Sequence, residues 1–290
     1  MPRIVAAVLA GWGLALAGTV MQSLLRNPLV SPSTLGISHG AAFGAAFAIV
    51  VLRAGAAQTG ALRTGGALLL TIDHLATTAL CAFLGAMLTT GAILALARLR
   101  RLTPPAIILA GVALSSLFMS GTILMQYFAS EVELASVVFW SFGDVARSNW
   151  RELGLVAVCT GAATAACWLW RWDLNALAAG DDAAESLGVP VERIRLAGMV
   201  LAALAAAVVT AFHGVIAFLG LLAPHISRRL VGANHTLLLP MSCLVGAILL
   251  VGADTAGRCL VGSGTLPVGI LTSFMGAPVF LYLLSRTESA

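Results

Sequence analysis

The chain has 290 residues, of which 60% are hydrophobic and only 10% charged, where a soluble domain carries about 25% charged residues. This is a membrane composition, and with 5 Cys, 30 Gly and 10 Pro the chain is neither a disulfide scaffold, nor collagen-like, nor a disordered polar segment. All 16 basic residues are Arg, so a phosphate-binding loop ending in Gly-Lys-Ser/Thr and a Schiff-base lysine are both excluded. The net charge of +4 is spread thinly between apolar runs, which points away from nucleic acid and makes the arginines topology markers.

Runs free of Asp, Glu and Arg cover 4–25, 27–52, 74–97, 102–130, 153–170, 196–227, 230–253 and 259–285. Most are long enough for a hydrocarbon core that needs about 20 residues. The first begins like a secretory signal after Arg3, but it is too long, lacks a small-x-small cleavage site, and leads straight into Arg26-Asn27-Pro28 and another span. The run 196–227 would make a helix of about 48 Å and carries His213-Gly214 in its middle, so it divides into 196–212 and a shorter helix from Val215. The expectation is an all-α, polytopic membrane protein of about nine transmembrane helices, forming a single domain over 1–290.

Gly36, Gly40 and Gly44 recur at intervals of four and predict a helix face that a neighbour approaches closely. Between spans, 128–149 carries Val137, Val138, Phe139 and Trp140 and reads as a short interfacial helix on the external side. The loop 172–195 reads as two short helices separated near Gly180, with Asp181 or Asp182 as N-cap and Gly188 as the stop. Leu177, Ala184 and Leu187 would give that pair an apolar face, a form suited to docking in the groove of a soluble partner.

Cytoplasmic loops hold the excess of positive charge. With the segment after the first span inside, Arg26, Arg98, Arg100, Arg101, Arg171, Arg193, Arg195, Arg228, Arg229 and Arg286 are cytoplasmic, and Arg3, Arg53, Arg63, Arg147, Arg151 and Arg258 are external. Trp140, Trp150, Trp168, Trp170 and Trp172 lie near span ends, where amphipathic rings prefer the headgroup level. Cys81, Cys159, Cys167, Cys243 and Cys259 show no CxxC spacing and read as packing residues, as do His39, His213 and His225, which lack ligand spacing. Mid-span carboxylates are nearly absent, since Asp73 and Asp254 sit at span ends. That argues against an ion-coupled secondary transporter, the main alternative, which would carry such acids at membrane depth. An intramembrane enzyme lacks a nucleophile and base at workable spacing.

A set of motifs in order carries a resemblance. They are Pro2-Arg3, Gly18-Thr19-Val20-Met21-Gln22, Arg26-Asn27-Pro28-Leu29-Val30-Ser31-Pro32, Leu35-Gly36-Ile37-Ser38-His39-Gly40-Ala41 and Gly180-Asp181-Asp182-Ala183-Ala184-Glu185-Ser186-Leu187-Gly188. Further on come Gly214-Val215-Ile216-Ala217-Phe218-Leu219-Gly220-Leu221, Pro224-His225, Leu238-Leu239-Pro240, Ala253-Asp254, Leu266-Pro267-Val268-Gly269 and Gly276-Ala277-Pro278-Val279-Phe280. Over nearly the whole chain the sequence resembles the FecCD-type permeases of ABC importers for iron-siderophores, haem and vitamin B12. The resemblance implies an ABC importer type II permease in the cell inner (plasma) membrane, not itself an enzyme. It works as a homodimer with two cytoplasmic ATPase subunits that bind the ATP and a substrate-binding protein on the other side, and it has no cofactor of its own. It makes 172–195 the coupling element, with Gly180, Asp181, Ala184, Leu187 and Gly188 facing the ATPase, and places Arg3 and Arg258 where the binding protein docks. Such permeases usually carry ten helices, one of them before the Pro-Arg motif at which this chain begins.

The arginine distribution predicts that, in a cysteine-free background, a cysteine at position 100 resists an impermeant thiol reagent in intact spheroplasts while one at position 60 reacts. Labelling of position 100 from outside would reverse the orientation.

Overall fold

The computed structural model describes residues 1–54, 74–99, 103–260 and 266–285, and every regular element in them is a helix. In chain order these are α1 (Pro2–Leu24), α2 (Ile37–Val50), α3 (His74–Arg98), α4 (Pro104–Phe128), α5 (Glu131–Ser141) and α6 (Trp150–Leu169). Then follow α7 (Arg171–Ala178), α8 (Asp181–Ser186), α9 (Val191–His213), α10 (Leu219–Val231), α11 (His235–Leu260) and α12 (Val268–Ser285). Arg63, Arg100, Arg101, Arg286 and Asp73 lie outside the described residues. Helix starts follow from local chemistry. Proline opens α1 and α4, where its missing N–H costs nothing, and reciprocal capping boxes start α5 (Ser130 with Glu133) and α6 (Asn149 with Glu152). The bonds from the Ser130 backbone and hydroxyl hold the Glu133 carboxyl below its ordinary pKa.

Helix α1 is the axle of the bundle. A Cβ on Gly11 would meet the backbone of α11 at Gly246, one on Gly18 the backbone of α10 at Gly220, and one on Gly13 the side chains of Thr160 in α6 and Val209 in α9. With no hydrophobic drive between helices in lipid, such close backbone approach supplies the dispersion energy that associates them. The Gly36, Gly40, Gly44 series divides its labour. Gly40 and Gly44 face the backbone of α3 at Gly85 and Cys81, while Gly36 is the left-handed N-cap of α2 and faces α4 at Gly111 and Ser115. Only two of the three therefore share the expected face, because the turn before α2 needs Gly36 for itself.

Helices α1, α2, α3, α4, α6, α9, α10, α11 and α12 fall on the eight charge-free runs, with most of α9 and α10 sharing 196–227. Among the described residues, six of these are long and apolar enough to cross a bilayer. Antiparallel packing of α1 with α11 and α9, together with the turn at Val30 that leads into α2 and the antiparallel pairing of α2 with α3, gathers Arg26, Arg98, Arg171, Arg195 and Arg228 at one end of the bundle. Arg3, Arg53, Arg147 and Arg258 lie at the other, with α5. By the positive-inside rule the Arg26 end is cytoplasmic.

The segment after His213 departs from expectation. The helix starts at Leu219 rather than Val215, because 214–218 runs without helical pairing and is held by other loops. Asp144 N donates to His213 O at 2.7 Å, Gly269 N donates to Gly143 O at 3.2 Å, and Gly269 leaves room for the carbonyls of Phe142 and Val215. Non-helical backbone at membrane depth is tolerated where protein surrounds it in this way. The break closes at Phe218, whose φ of 66° is strained for a bulky residue, with Leu219 N donating to Ala217 O at 2.9 Å across it. Its side chain rests on Gly276 of α12.

Two substitutions in the α2–α3 region test the close-approach argument. Gly40→Val places a branched side chain against the Gly85 backbone and is expected to cost about 1–3 kcal/mol, read as a lower midpoint in thermal unfolding in detergent. Gly91→Ala, where an added Cβ meets nothing within 4 Å, should be neutral or slightly stabilising. Equal behaviour of the two would contradict the packing account.

Candidate functional site

The arginine-rich end carries a helical hairpin built from α7 and α8. Helix α7 turns Leu174 and Leu177 into the bundle and α8 turns Ala184 inward, all three buried, while Leu187 is 73% exposed. The apolar face expected of Leu177, Ala184 and Leu187 together is therefore divided. Two of them seat the hairpin on the bundle, and Leu187 projects away from it. Arg171 stacks between the rings of Trp168 and Trp172, 5.2 and 5.4 Å from their centroids, at the join of α6 and α7.

Both glycines of the hairpin are required by the backbone. Gly180 has φ 122° and ψ 159°, a region open essentially to glycine alone. Gly188 has φ 83° and ends α8 in a Schellman arrangement, Val189 N donating to Ala184 O at 3.0 Å and Gly188 N to Glu185 O at 2.9 Å. Gly180, rather than Asp181 or Asp182, is the N-cap of α8, and no side chain caps it. The Asp181 carboxylate is engaged elsewhere, since it accepts from Arg195 Nη2 at 2.8 Å and lies 3.5 Å from Arg26 Nη2. Arg195 is only 3% exposed and also donates Nε to the Leu24 carbonyl at 3.2 Å, one of the acceptors left open at the end of α1. A buried guanidinium demands a counter-charge more strongly than a helix start demands a cap. Asp181 thus fastens α8 to the first turn of α9 and the last turn of α1.

At the opposite end, Arg3 and Arg258 converge on one acid. Arg3 Nε lies 2.8 and 3.1 Å from the two Asp254 oxygens and its Nη2 lies 2.7 Å from Oδ1, while Arg258 Nε is 3.5 Å from Oδ2. Asp254 is 3% exposed, so Arg3 is the partner that makes this buried carboxylate tenable. Arg258 is the more open of the two arginines, with a further bond to Thr255 Oγ1 at 3.3 Å. Asp254 as the partner of Arg3, and Arg26 as that of Asp181, were not recognisable in the sequence, where each stands far from the group it holds. Among the described residues no group of three His, Cys, Asp or Glu comes together as a metal site.

A bundle of apolar helices with a broken helix at membrane depth and an amphipathic hairpin fastened at its arginine-rich end defines a multi-pass membrane permease. The family model of the FecCD transport family matches residues 1–286. The sequence is 51% identical over 287 residues to an ABC transporter permease protein of Methanocaldococcus jannaschii, covering 99% of this chain and 80% of that one. It is 36% identical to the hemin transport system permease HmuU of Yersinia pestis, covering 99% and 81%. The fold matches an inward-facing metal-chelate type ABC transporter with a TM-score of 0.85 at 34% identity, over 98% of this chain and 85% of that one. The chain belongs to the FecCD transport family and is a multi-pass permease of the inner membrane.

The fastening of α8 sets an order of effects. Asp181→Ala leaves the buried Arg195 without its carboxylate and should lower stability by about 1–3 kcal/mol. Arg26→Ala removes a longer and more exposed pair worth about 1 kcal/mol or less. Thermal unfolding of the purified permease checks this, and an Arg26 effect larger than the Asp181 effect would overturn the assignment.

Proposed function

We propose that the chain is the membrane-spanning subunit of an ATP-driven importer that carries an iron chelate, either siderophore or haem, or cobalamin into the cytoplasm. Support comes from relatives named for hemin, vitamin B12 and Fe(3+)-citrate import, each 36% identical. In this reading two copies enclose the path. Two ATPase subunits sit at the Arg26 end and bind the ATP, and a substrate-binding protein docks at the Arg3 end.

The observation that carries the proposal is the hairpin. It is ordered by Gly180 and Gly188, fastened through Asp181 to Arg195, and presents Leu187 outward, largely exposed among the described residues. A rigid projection with an exposed apolar tip transmits force into a partner's groove, as a flexible loop cannot. Leu187→Asp, which leaves the spans untouched, is expected to keep membrane abundance, reduce co-purification of the ATPase and abolish uptake in proteoliposomes, because a charge in a dry contact costs several kcal/mol. Wild-type uptake in that variant at equal abundance would remove the coupling role of the loop. Ferric siderophore, haemin and cyanocobalamin offered in parallel identify the cargo.

At the other end Arg258, the more distant and more exposed of the two arginines on Asp254, is the better probe of docking. Arg258→Glu should weaken association of the binding protein by about 1 kcal/mol or somewhat more and alter its salt dependence. Arg3→Glu should destabilise the permease more, since it replaces the closer partner of the buried Asp254 with a like charge. Unchanged association in the folded Arg258→Glu variant would place the docking surface elsewhere.

A further inference from the structure

Two adjacent residues at the end of α1 join the hairpin to the broken helix α10. On one side, the backbone N–H of His235 donates to Asn175 Oδ1 at 2.8 Å, which fixes that atom as the amide oxygen, and His235 Nδ1 lies 2.7 Å from the same oxygen. An oxygen so placed only accepts, so Nδ1 carries the proton and Nε2 faces Ser23 Oγ at 2.6 Å, a hydroxyl whose single proton is shared between that nitrogen and the Thr19 carbonyl at 2.8 Å. Asn175 belongs to α7, His235 opens α11 and Ser23 belongs to α1. The Asn175 amide nitrogen also donates to Asn234 Oδ1 at 3.1 Å. The hairpin is thus bonded through one imidazole to the core helix.

On the other side stands Gln22. Its Nε2 donates to the carbonyls of Gly220 and Val30, each at 3.2 Å, and its Oε1 accepts from Arg228 Nη1. Gly220 lies in the first turn of α10, two residues past the strained Phe218, and Arg228 lies in the last turn of the same helix. One amide therefore holds both ends of α10 and the turn that leads into α2. Leu29, Ser33, Thr34, Phe218, Leu221, Ala277 and Phe280 line a cavity of about 480 Å³ beside this break. A shift of α10 changes the shape of that cavity.

We propose that Asn175, His235, Ser23, Gln22 and Arg228 form a polar relay, buried at its centre, that converts movement of the ATPase-coupling hairpin into movement of α10 at the Phe218 break, with His235 and Gln22 as its positioning residues. The proposal rests on the importer reading above. His235 and Gln22 are each 2% exposed, so neither touches a partner subunit, and any loss of coupling on their substitution arises inside the permease. The two sets of hydrogen bonds meet at the α1 backbone between Gln22 and Ser23, and within either set removing one member leaves its neighbours without partners. The element that moves in this proposal is α10, whose N-terminal joint holds Phe218 at the strained φ of 66°.

The test uses the reconstituted complex of permease, ATPase and binding protein in liposomes, and reads cargo taken up per ATP hydrolysed. The cargo is whichever of ferric siderophore, haemin or cyanocobalamin the wild type transports. His235→Phe and Gln22→Met conserve volume and remove the bonds. Each is expected to keep ATPase association and to lower the uptake-to-hydrolysis ratio about tenfold, within the range such networks carry. In a serial relay the double variant is no worse than the worse single, whereas two independent packing defects multiply. If either apolar variant fails to reach the membrane, His235→Gln and Gln22→Glu, which keep part of the bonds, are read the same way. A wild-type ratio in the single variants, or multiplied losses in the double, overturns the relay and leaves the importer reading standing. Wild-type uptake in Leu187→Asp instead removes the coupling reading, and the relay with it.

Discussion

The structure depends on how closely its other helices approach α1. Glycines at 11, 13 and 18 bring α11, α6, α9 and α10 into near-contact with the α1 backbone, and no side chain larger than hydrogen fits there. The consequence reaches beyond packing. Because α9, α10 and α11 all press on α1, the last turn of α1 becomes the place where their ends meet, and Gln22, Ser23 and the Leu24 carbonyl each find a partner from a different helix. The hairpin takes its footing on the same turn, through Arg195 and His235. Close packing in the middle of the membrane and polar fastening at its inner edge are therefore one arrangement seen at two depths.

A second consequence concerns the backbone that is not helical. The break at 214–218 leaves peptide groups open at membrane depth, and they are tolerable because 140–143 and Gly269 pack upon them. Gly214 and Gly143 stand against one another, and Gly269 admits two carbonyls, so the break is enclosed by backbone on several sides. Phe218 is the strained joint where this segment becomes α10. The joint lies beside an apolar cavity and one short step from Gln22, so the least regular part of the chain is also the part most directly tied to the hairpin.

The fold was legible where its cause is local. A span shows itself as a run without charge, and each of the eight such runs holds a helix among the described residues, with 196–227 holding most of α9 and α10. Gly180 and Gly188 likewise announce the hairpin, because a backbone conformation open to glycine has a one-residue signature. What failed to show was tertiary. The late start of α10 goes with the loops at 143 and 269, which pack against the Val215 carbonyl. The N-cap of α8 passed from Asp181 to Gly180 because a buried Arg195 claimed the carboxylate, and Leu187 parted from Leu177 and Ala184 for want of any rule in the sequence saying which way the last turn faces. Arg3 and Asp254 are 251 positions apart, and Ser23 and His235 are 212 apart. No periodicity reports pairs at that separation.

The central claim is that the hairpin is a rigid body seated on the end of α1. Hydrogen exchange of the intact permease in nanodiscs measures this directly, since exchange reports how often a segment opens. The account predicts that amides of α7 and α8 whose bonds stay within the hairpin, Ala184 and Leu187 among them, exchange as slowly as those of the first turns of α9. Exchange of the hairpin at the rate of an unstructured loop, with α9 protected, would contradict it.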